Sequence, residues 1–141
     1  MTKRNLWIVV AMLFVSCSNI RPSRLTCEYQ TSPLIDVQAP RLSWKNNSCR
    51  EGVGQTAYQI RVMKHSAIED IVVWDSGRVE SENSLYIRYE GEPLCSSCGY
   101  SWQVRVWDKQ GRASRWSKRA KWHTGKLSSE EWQAKWVGVP W

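Results

Sequence analysis

The sequence predicts an all-β chain folded as a two-sheet sandwich of seven strands. Three observations carry that expectation. Apolar and polar residues alternate at period two in several short runs, turn residues separate those runs at near-regular spacing, and aromatic side chains crowd one face of the longest run. That run is expected over Tyr100–Asp108. Tyr100, Trp102, Val104 and Val106 fall on one face, and Ser101, Gln103, Arg105 and Trp107 on the other. Asp108-Lys109-Gln110-Gly111 then supplies turn chemistry, with Gly111 free to take positive φ. Leu94 precedes Tyr100 by six residues. At that spacing in Greek-key sandwiches, a Tyr hydroxyl bonds back to the turn before its strand.

The remaining elements follow in chain order. Residues 1–17 read as an export signal: Lys3 and Arg4 make a positive start, and Leu6 to Val15 is an apolar run too short to span a bilayer. Leu13-Phe14-Val15-Ser16-Cys17 has the form of a bacterial lipoprotein cleavage site, which makes Cys17 the candidate lipidated residue; a plain secretory signal with an incidental Cys is the alternative. Strands are expected at 24–29, 41–45, 56–63, 72–79, 85–89, 100–108 and 116–123. Trp44, Tyr58, Ile60, Tyr100, Trp102 and Val104 are the predicted core. Residues 25–125 are thus the sandwich, and 126–141 are a linker or the start of a following domain. Ser128 and Glu131 are spaced as a capping box for a short helical turn carrying Trp132. Ala134 to Gly138 reads as the start of a further strand.

Composition excludes several function classes. The chain is 42% hydrophobic and 23% charged, as befits a globular fold. Its formal charge of +7 is spread along strands, at Arg61, Arg88 and Arg105 for example. That pattern describes a solvated sheet face rather than a nucleic-acid site. Trp is the outlier, at 10 residues of 141, more than a small core can absorb. Cys27, Cys49, Cys95 and Cys98 permit three disulfide pairings in an oxidising compartment. Cys27 and Cys49 could approach each other. Cys95-Ser-Ser-Cys98 has redox and zinc spacing but no second Cys pair and no following helix. A local disulfide or two free thiols is the expectation, and no metal or cofactor is implied. His65 and His123 stand apart in sequence without ligand spacing, and no phosphate loop or nucleophile motif occurs.

The 100–117 hairpin and the strand pattern resemble a fibronectin type III/immunoglobulin-like sandwich. A longer ordered set of phrases is more specific: Cys27-Glu28-Tyr29, Pro40-Arg41-Leu42-Ser43-Trp44, Gln55 to Ile60, Trp74-Asp75-Ser76-Gly77, Val104 to Asp108 and Trp132-Gln-Ala-Lys-Trp136. In that order they resemble the N-terminal module of bacterial alpha-L-rhamnosidases of glycoside hydrolase family 78, over residues 25–140. The chain departs from the pattern at Pro33-Leu34-Ile35-Asp36, where the family often has a Gly after Leu.

The resemblance implies inverting removal of terminal rhamnose by carboxylates in an (α/α)₆ barrel downstream of this module. Such a pair stands about 6.5–9.5 Å apart around a sugar-sized pocket. No catalytic residue carries over, because the matching positions are absent. Asp36, Asp75, Asp108 and Glu130 read as solvated turn or strand-end residues. Two functions of different class follow. In the first, the chain is a non-catalytic module that packs on neighbouring domains of an exported rhamnosidase, here as a truncated chain ending inside an apparent strand. The second is a free-standing, carbohydrate-binding surface lipoprotein, periplasmic or outer-membrane-anchored, that meets the membrane only through its lipid. Trp107, Trp116 and Trp122, with Trp132 and Trp136 in the tail, are the candidate contacts for sugar or for a neighbouring domain.

Overall fold

A computed structural model describes residues 20–135, 137 and 138. Nine strands appear among them: β1 (Ile20–Cys27), β2 (Leu34–Ile35), β3 (Arg41–Ser48), β4 (Gln55–Lys64), β5 (Ile71–Asp75), β6 (Val79–Glu80), β7 (Ile87–Arg88), β8 (Gly99–Asp108) and β9 (Ala120–Thr124). They form a three-stranded sheet in the order β1-β3-β7 and a six-stranded sheet in the order β2-β9-β8-β4-β5, with β6 also on β4. The architecture is the expected immunoglobulin-like sandwich.

The period-two reading of β8 holds. Tyr100, Trp102, Val104 and Val106 all point inward, each at most 1% exposed. Trp44, Tyr58, Ile60 and Val62 are buried with them. Trp44 meets Tyr58 edge-on at 5.3 Å, and Tyr100 stacks on Trp122 at 5.5 Å. The hydroxyl of Tyr100 accepts the Cys95 backbone N–H at 2.9 Å, which pins the turn before β8 to its strand. Gln55 is a buried polar hub that sequence reasoning missed. Its carbonyl accepts from Trp44 Nε1 and Asn46 Nδ2, and its amide donates to the carbonyls of Ser81 and Asn83.

Several expected boundaries are corrected. The first strand begins at Ile20, not Arg24, and bulges between Ser23 and Thr26, with Arg24 at φ 48°. The expected strand over 72–79 is split, because Gly77 takes φ 62° and donates its N–H to Asp75 Oδ1. The one over 85–89 shrinks to Ile87–Arg88, since Tyr86 at φ 58° leaves the extended region. The last strand starts at Ala120 rather than Trp116. Before it, the Ser114 and Ser117 hydroxyls accept the N–H groups of Val106 and Val104, standing in for ladder carbonyls. β2 was not expected; it pairs parallel with β9 through Leu34↔His123 and Ile35↔Thr124. No strand is present over 133–135, 137 or 138.

Candidate functional site

The outer face of the six-stranded sheet carries a stack of alternating cations and rings. The Arg105 guanidinium lies 5.0 Å from the centroid of Trp107 and 4.8 Å from that of Trp116. Arg78 covers Trp107 from 5.0 Å and Arg61 covers Trp116 from 4.8 Å. A planar ring has two faces, and two like-charged guanidiniums near one centroid take one each. The order is therefore Arg78, Trp107, Arg105, Trp116, Arg61. Hydrogen bonds lock it: Arg105 Nε donates to Gln59 Oε1 at 2.9 Å, Gln59 Nε2 donates to Asp75 Oδ1 at 2.6 Å, and Arg61 pairs with Asp75 at 3.0 Å.

This geometry corrects two candidate contacts. Trp107 is on the outer face as its parity requires, yet it is 8% exposed and its ring is covered on both sides. Trp122 is 0% exposed and belongs to the core. Neither can offer a ring to a sugar or a neighbouring domain. Trp116 is half-buried between its two guanidiniums. Trp132 is 66% exposed, with Lys126 Nζ 5.5 Å over its ring. Trp136 and Cys17 lie outside the described residues.

At one end of the sandwich Cys95 and Cys98 form a disulfide. The turn they close grips the segment after β9. Ser97 N–H donates to Gly125 O at 3.0 Å, Leu127 N–H donates to Ser96 Oγ at 3.0 Å, and Ser96 Oγ donates to Glu131 Oε1 at 2.8 Å. The Thr124 hydroxyl accepts from Cys98 N–H and donates to Cys95 O. A 3-10 turn over Ser129–Glu131 follows, with Ser128 as N-cap. The capping box is half formed, because Glu131 reaches Ser96 instead of the cap N–H. Cys27 and Cys49 are both free, a correction to their possible approach. β1 and β3 run antiparallel with Cys27 opposite Leu42 and Ile20 opposite Ser48, so the two thiols sit at opposite ends of the pair. Burial, and secondarily the Glu28 charge, pushes the Cys27 thiol up to about 12.

Five acids, Glu28, Asp70, Asp75, Glu80 and Asp108, are engaged in ion pairs with arginines, and Asp75 also lines, with Glu90, a second pocket of about 380 Å³. Asp108 is fully buried, not a solvated turn residue; it accepts from the backbone of Gln110 and Arg112 and pairs with Arg112 Nε at 2.8 Å. Burial alone would raise its carboxyl, but those donors together hold it below the usual range. Glu28 is held low first by its hydrogen bond from Arg41. Asp70 pairs with Arg119 and Glu80 with Arg78, while Asp36 and Glu130 are exposed. His65 and His123, remote in sequence, meet at Gly99, where a Cβ would lie 2.9 Å from one and 3.3 Å from the other. Among the described residues no group of three His, Cys, Asp or Glu is placed to hold a metal ion.

A groove of about 850 Å³ runs along β1 at the edge of the sandwich, bordered by Ser43, Lys45 and Asn47 on the outward side of β3, by the buried Leu25 and Trp44, and by residues 118–121 leading into β9 of the other sheet. On the outward side of the three-stranded sheet, near this groove, stand Tyr29 and Tyr86, which are 60% and 53% exposed. Their centroids are 5.3 Å apart, and the Arg41 guanidinium lies 4.9 Å over Tyr29. Sequence reasoning missed this pair, because its signal is backbone conformation: both residues have positive φ.

Residues 22–128 match the Rha78A-like, N-terminal immunoglobulin domain family. The alpha-L-rhamnosidase of Streptomyces avermitilis is 42% identical over 125 residues, 87% of this chain and 12% of that protein. An alpha-L-rhamnosidase of Alteromonas sp. is 35% identical, across 96% of this chain and 16% of its own length. Among solved structures, the S. avermitilis enzyme complexed with L-rhamnose superposes with a TM-score of 0.78, covering 86% of this chain and 12% of that one. The alpha-L-rhamnosidase from Dictyoglumus thermophilum gives 0.80 at 36% identity, over 88% of this chain and 14% of its own. The chain thus spans 12% of the first curated relative's length.

Proposed function

The chain belongs to the Rha78A-like N-terminal immunoglobulin domain family, and from that membership we propose that it serves as a non-catalytic β-sandwich module of an alpha-L-rhamnosidase. One observation carries the reading: the family match covers 22–128, nearly the whole described sandwich, while the chain accounts for only 12% of the S. avermitilis enzyme. The acids fit a scaffold, since Glu28, Asp70, Asp75, Glu80 and Asp108 are each tied to an arginine. The neighbouring domain would seat against the 126–132 segment, where the disulfide turn fixes the departing backbone and Trp132 offers an exposed ring. Trp136 would extend that contact.

The module would be exported and lipid-anchored through Cys17, in the periplasm or at the outer membrane. The leader pattern of Lys3, Arg4 and the apolar run to Val15 supports this, and so does the Cys95–Cys98 disulfide, which suits an oxidising compartment. Several acyl chains, at about 0.8 kcal/mol per buried CH₂, would hold it firmly. Mass spectrometry of membrane-fraction protein tests the anchor: a mature chain starting at acylated Cys17 is expected, and an unmodified one excludes it. The module reading is tested by replacing the corresponding domain of the S. avermitilis enzyme with residues 20–132. The chimera should fold and hydrolyse an aryl alpha-L-rhamnoside, whereas the chain itself should not. Turnover by the chain itself, abolished by Asp75→Asn or Asp108→Asn, would overturn it.

A further inference from the structure

We propose that the groove along β1, where the edge of the three-stranded sheet meets the 118–121 segment leading into β9 of the other sheet, is a binding site for an acidic polysaccharide, a chain bearing carboxylate or sulfate groups. The groove along β1 collects Arg21, Arg24, Lys45, Lys118, Arg119 and Lys121, and among the described residues no acidic one lines it. Arg119 is neutralised by Asp70. The other five have no ion pair among the described residues. Hydroxyl groups of Ser23, Thr26 and Ser43 lie between them. On the outer face of the six-stranded sheet every arginine that flanks the Trp rings is already engaged with a ring. Here the charge is unspent.

The aromatic pair stands on the outward side of β3, next to this groove. Residues 41, 43, 45 and 47 alternate outward along β3, so Arg41, Ser43, Lys45 and Asn47 share one side. Arg41 covers one side of Tyr29, and Ser43 Oγ accepts the Tyr86 N–H at 3.0 Å. Tyr86 follows Leu85, itself part of the groove wall. The Tyr pair therefore stands next to the Ser43 and Leu85 wall of the groove, with Tyr86 itself lining a neighbouring pocket. Both are held at positive φ, at 66° and 58°, a conformation that costs a non-glycine residue free energy without improving core packing. Flat exposed rings suit the C–H faces of sugars, and the cations suit their acidic substituents.

Other occupants fit less well. Strand addition to the free edge of β1 is obstructed by Pro22, which has no N–H, and by the bulge at Arg24. A packed domain interface is depleted of charge at its centre, unlike this one. A bilayer cannot fill a concave groove. The choice of a saccharide over another polyanion rests on the rhamnosidase reading above.

The test uses the full chain, immobilised, with polygalacturonate, dextran sulfate, neutral dextran and anionic phospholipid vesicles as probes. Salt-sensitive binding of polygalacturonate or dextran sulfate, but not of dextran or vesicles, is expected, and the preferred polymer names the acidic group. Lys118→Glu/Lys121→Glu should weaken it roughly tenfold or more, while Lys109→Glu/Lys135→Glu, the same charge change elsewhere, should leave it within about twofold. Tyr29→Ala/Tyr86→Ala should also weaken it, with circular dichroism unchanged. Equal loss in both lysine pairs, binding of neither acidic polymer, or equal binding of vesicles would overturn the proposal. The chimera experiment above is read independently of these outcomes, so the two readings fail separately.

Discussion

Replacing Arg105 with Ala removes the central layer of the cation–ring stack. Two ring contacts are lost, at 5.0 and 4.8 Å, worth about 1 kcal/mol each at a half-buried site. The charged hydrogen bond to Gln59 adds about 1.5 kcal/mol. Deleting one cation from a chain of formal charge +7 relieves some repulsion and works in the opposite direction. The net expected loss is about 3 kcal/mol. With a urea m-value of about 1.5 kcal/mol/M for a domain of this size, the midpoint should fall by about 2 M. Arg105→Lys keeps the charge but loses the flat guanidinium and its Nε–H, so it should fall roughly half as far. The assay is urea unfolding followed by tryptophan fluorescence, with Trp116→Phe as the partner in a double-mutant cycle. A midpoint that stays put or rises in Arg105→Ala would mean charge repulsion outweighs the stack, and the face would be ornament rather than support.

Three further outcomes are expected. Asp108→Asn should cost about 2–3 kcal/mol at neutral pH, because it removes the acidic partner of Arg112 in a buried turn. The folded-state pKa of Asp108 is depressed, so its stabilisation is fully present above the unfolded value of 3.8 and is lost as pH falls through the lower folded value. The gap between parent and variant should therefore narrow below about pH 4 in a pH series of thermal melts. Gly91→Ala should destabilise by about 1–3 kcal/mol, since the new Cβ would sit 2.5 Å from Trp74 Cβ and from the Tyr89 hydroxyl oxygen; a melt unchanged from the parent would contradict that crowding. Cys95→Ser/Cys98→Ser should cost about 2 kcal/mol for so short a loop, and hydrogen exchange should rise at Leu127 and Ser97 while Val104 stays protected.

What the sequence could say about this fold depends on which interactions are local. The inward face of β8 was legible because period-two alternation is a property of one strand. The misplacement of Trp122 came from a relation between strands. In β9 it lies opposite Tyr100, so it shares the inward face of that residue. That register is set by the irregular 113–119 segment, where serine hydroxyls replace the ladder, and nothing in the residue pattern marks such a substitution. Trp107 was assigned to the correct face, but an outer face is not always a wet one. Arg105 reaches it from two residues earlier in β8, and Arg78 arrives from beyond β5, a contact that no local pattern encodes. The Tyr29–Tyr86 pair was illegible for a different reason. Left-handed backbone at tyrosine has no compositional signature, and without it the two rings would not meet.

The outer face of the six-stranded sheet and the groove along β1 divide the basic residues by what they do. Facing outward from the six-stranded sheet, Arg61, Arg78 and Arg105 are each committed to a ring, and Arg61 and Arg78 also to an acid. Commitment of that kind stiffens a surface and leaves little free energy for a partner, since any ligand must first displace contacts already made. The groove along β1 holds Lys45 from the three-stranded sheet and Lys118 and Lys121 from the segment leading into β9, with no acid to meet them among the described residues, near two exposed rings held in costly backbone conformations. Unpaired charge of one sign repels itself, and strained backbone lowers stability; neither arrangement improves the isolated sandwich. A face that gives up stability in both ways is better suited to binding than to scaffolding. The Arg105 and Lys118/Lys121 variants separate the two roles, the first lowering the unfolding midpoint and the second leaving it in place while polyanion binding falls.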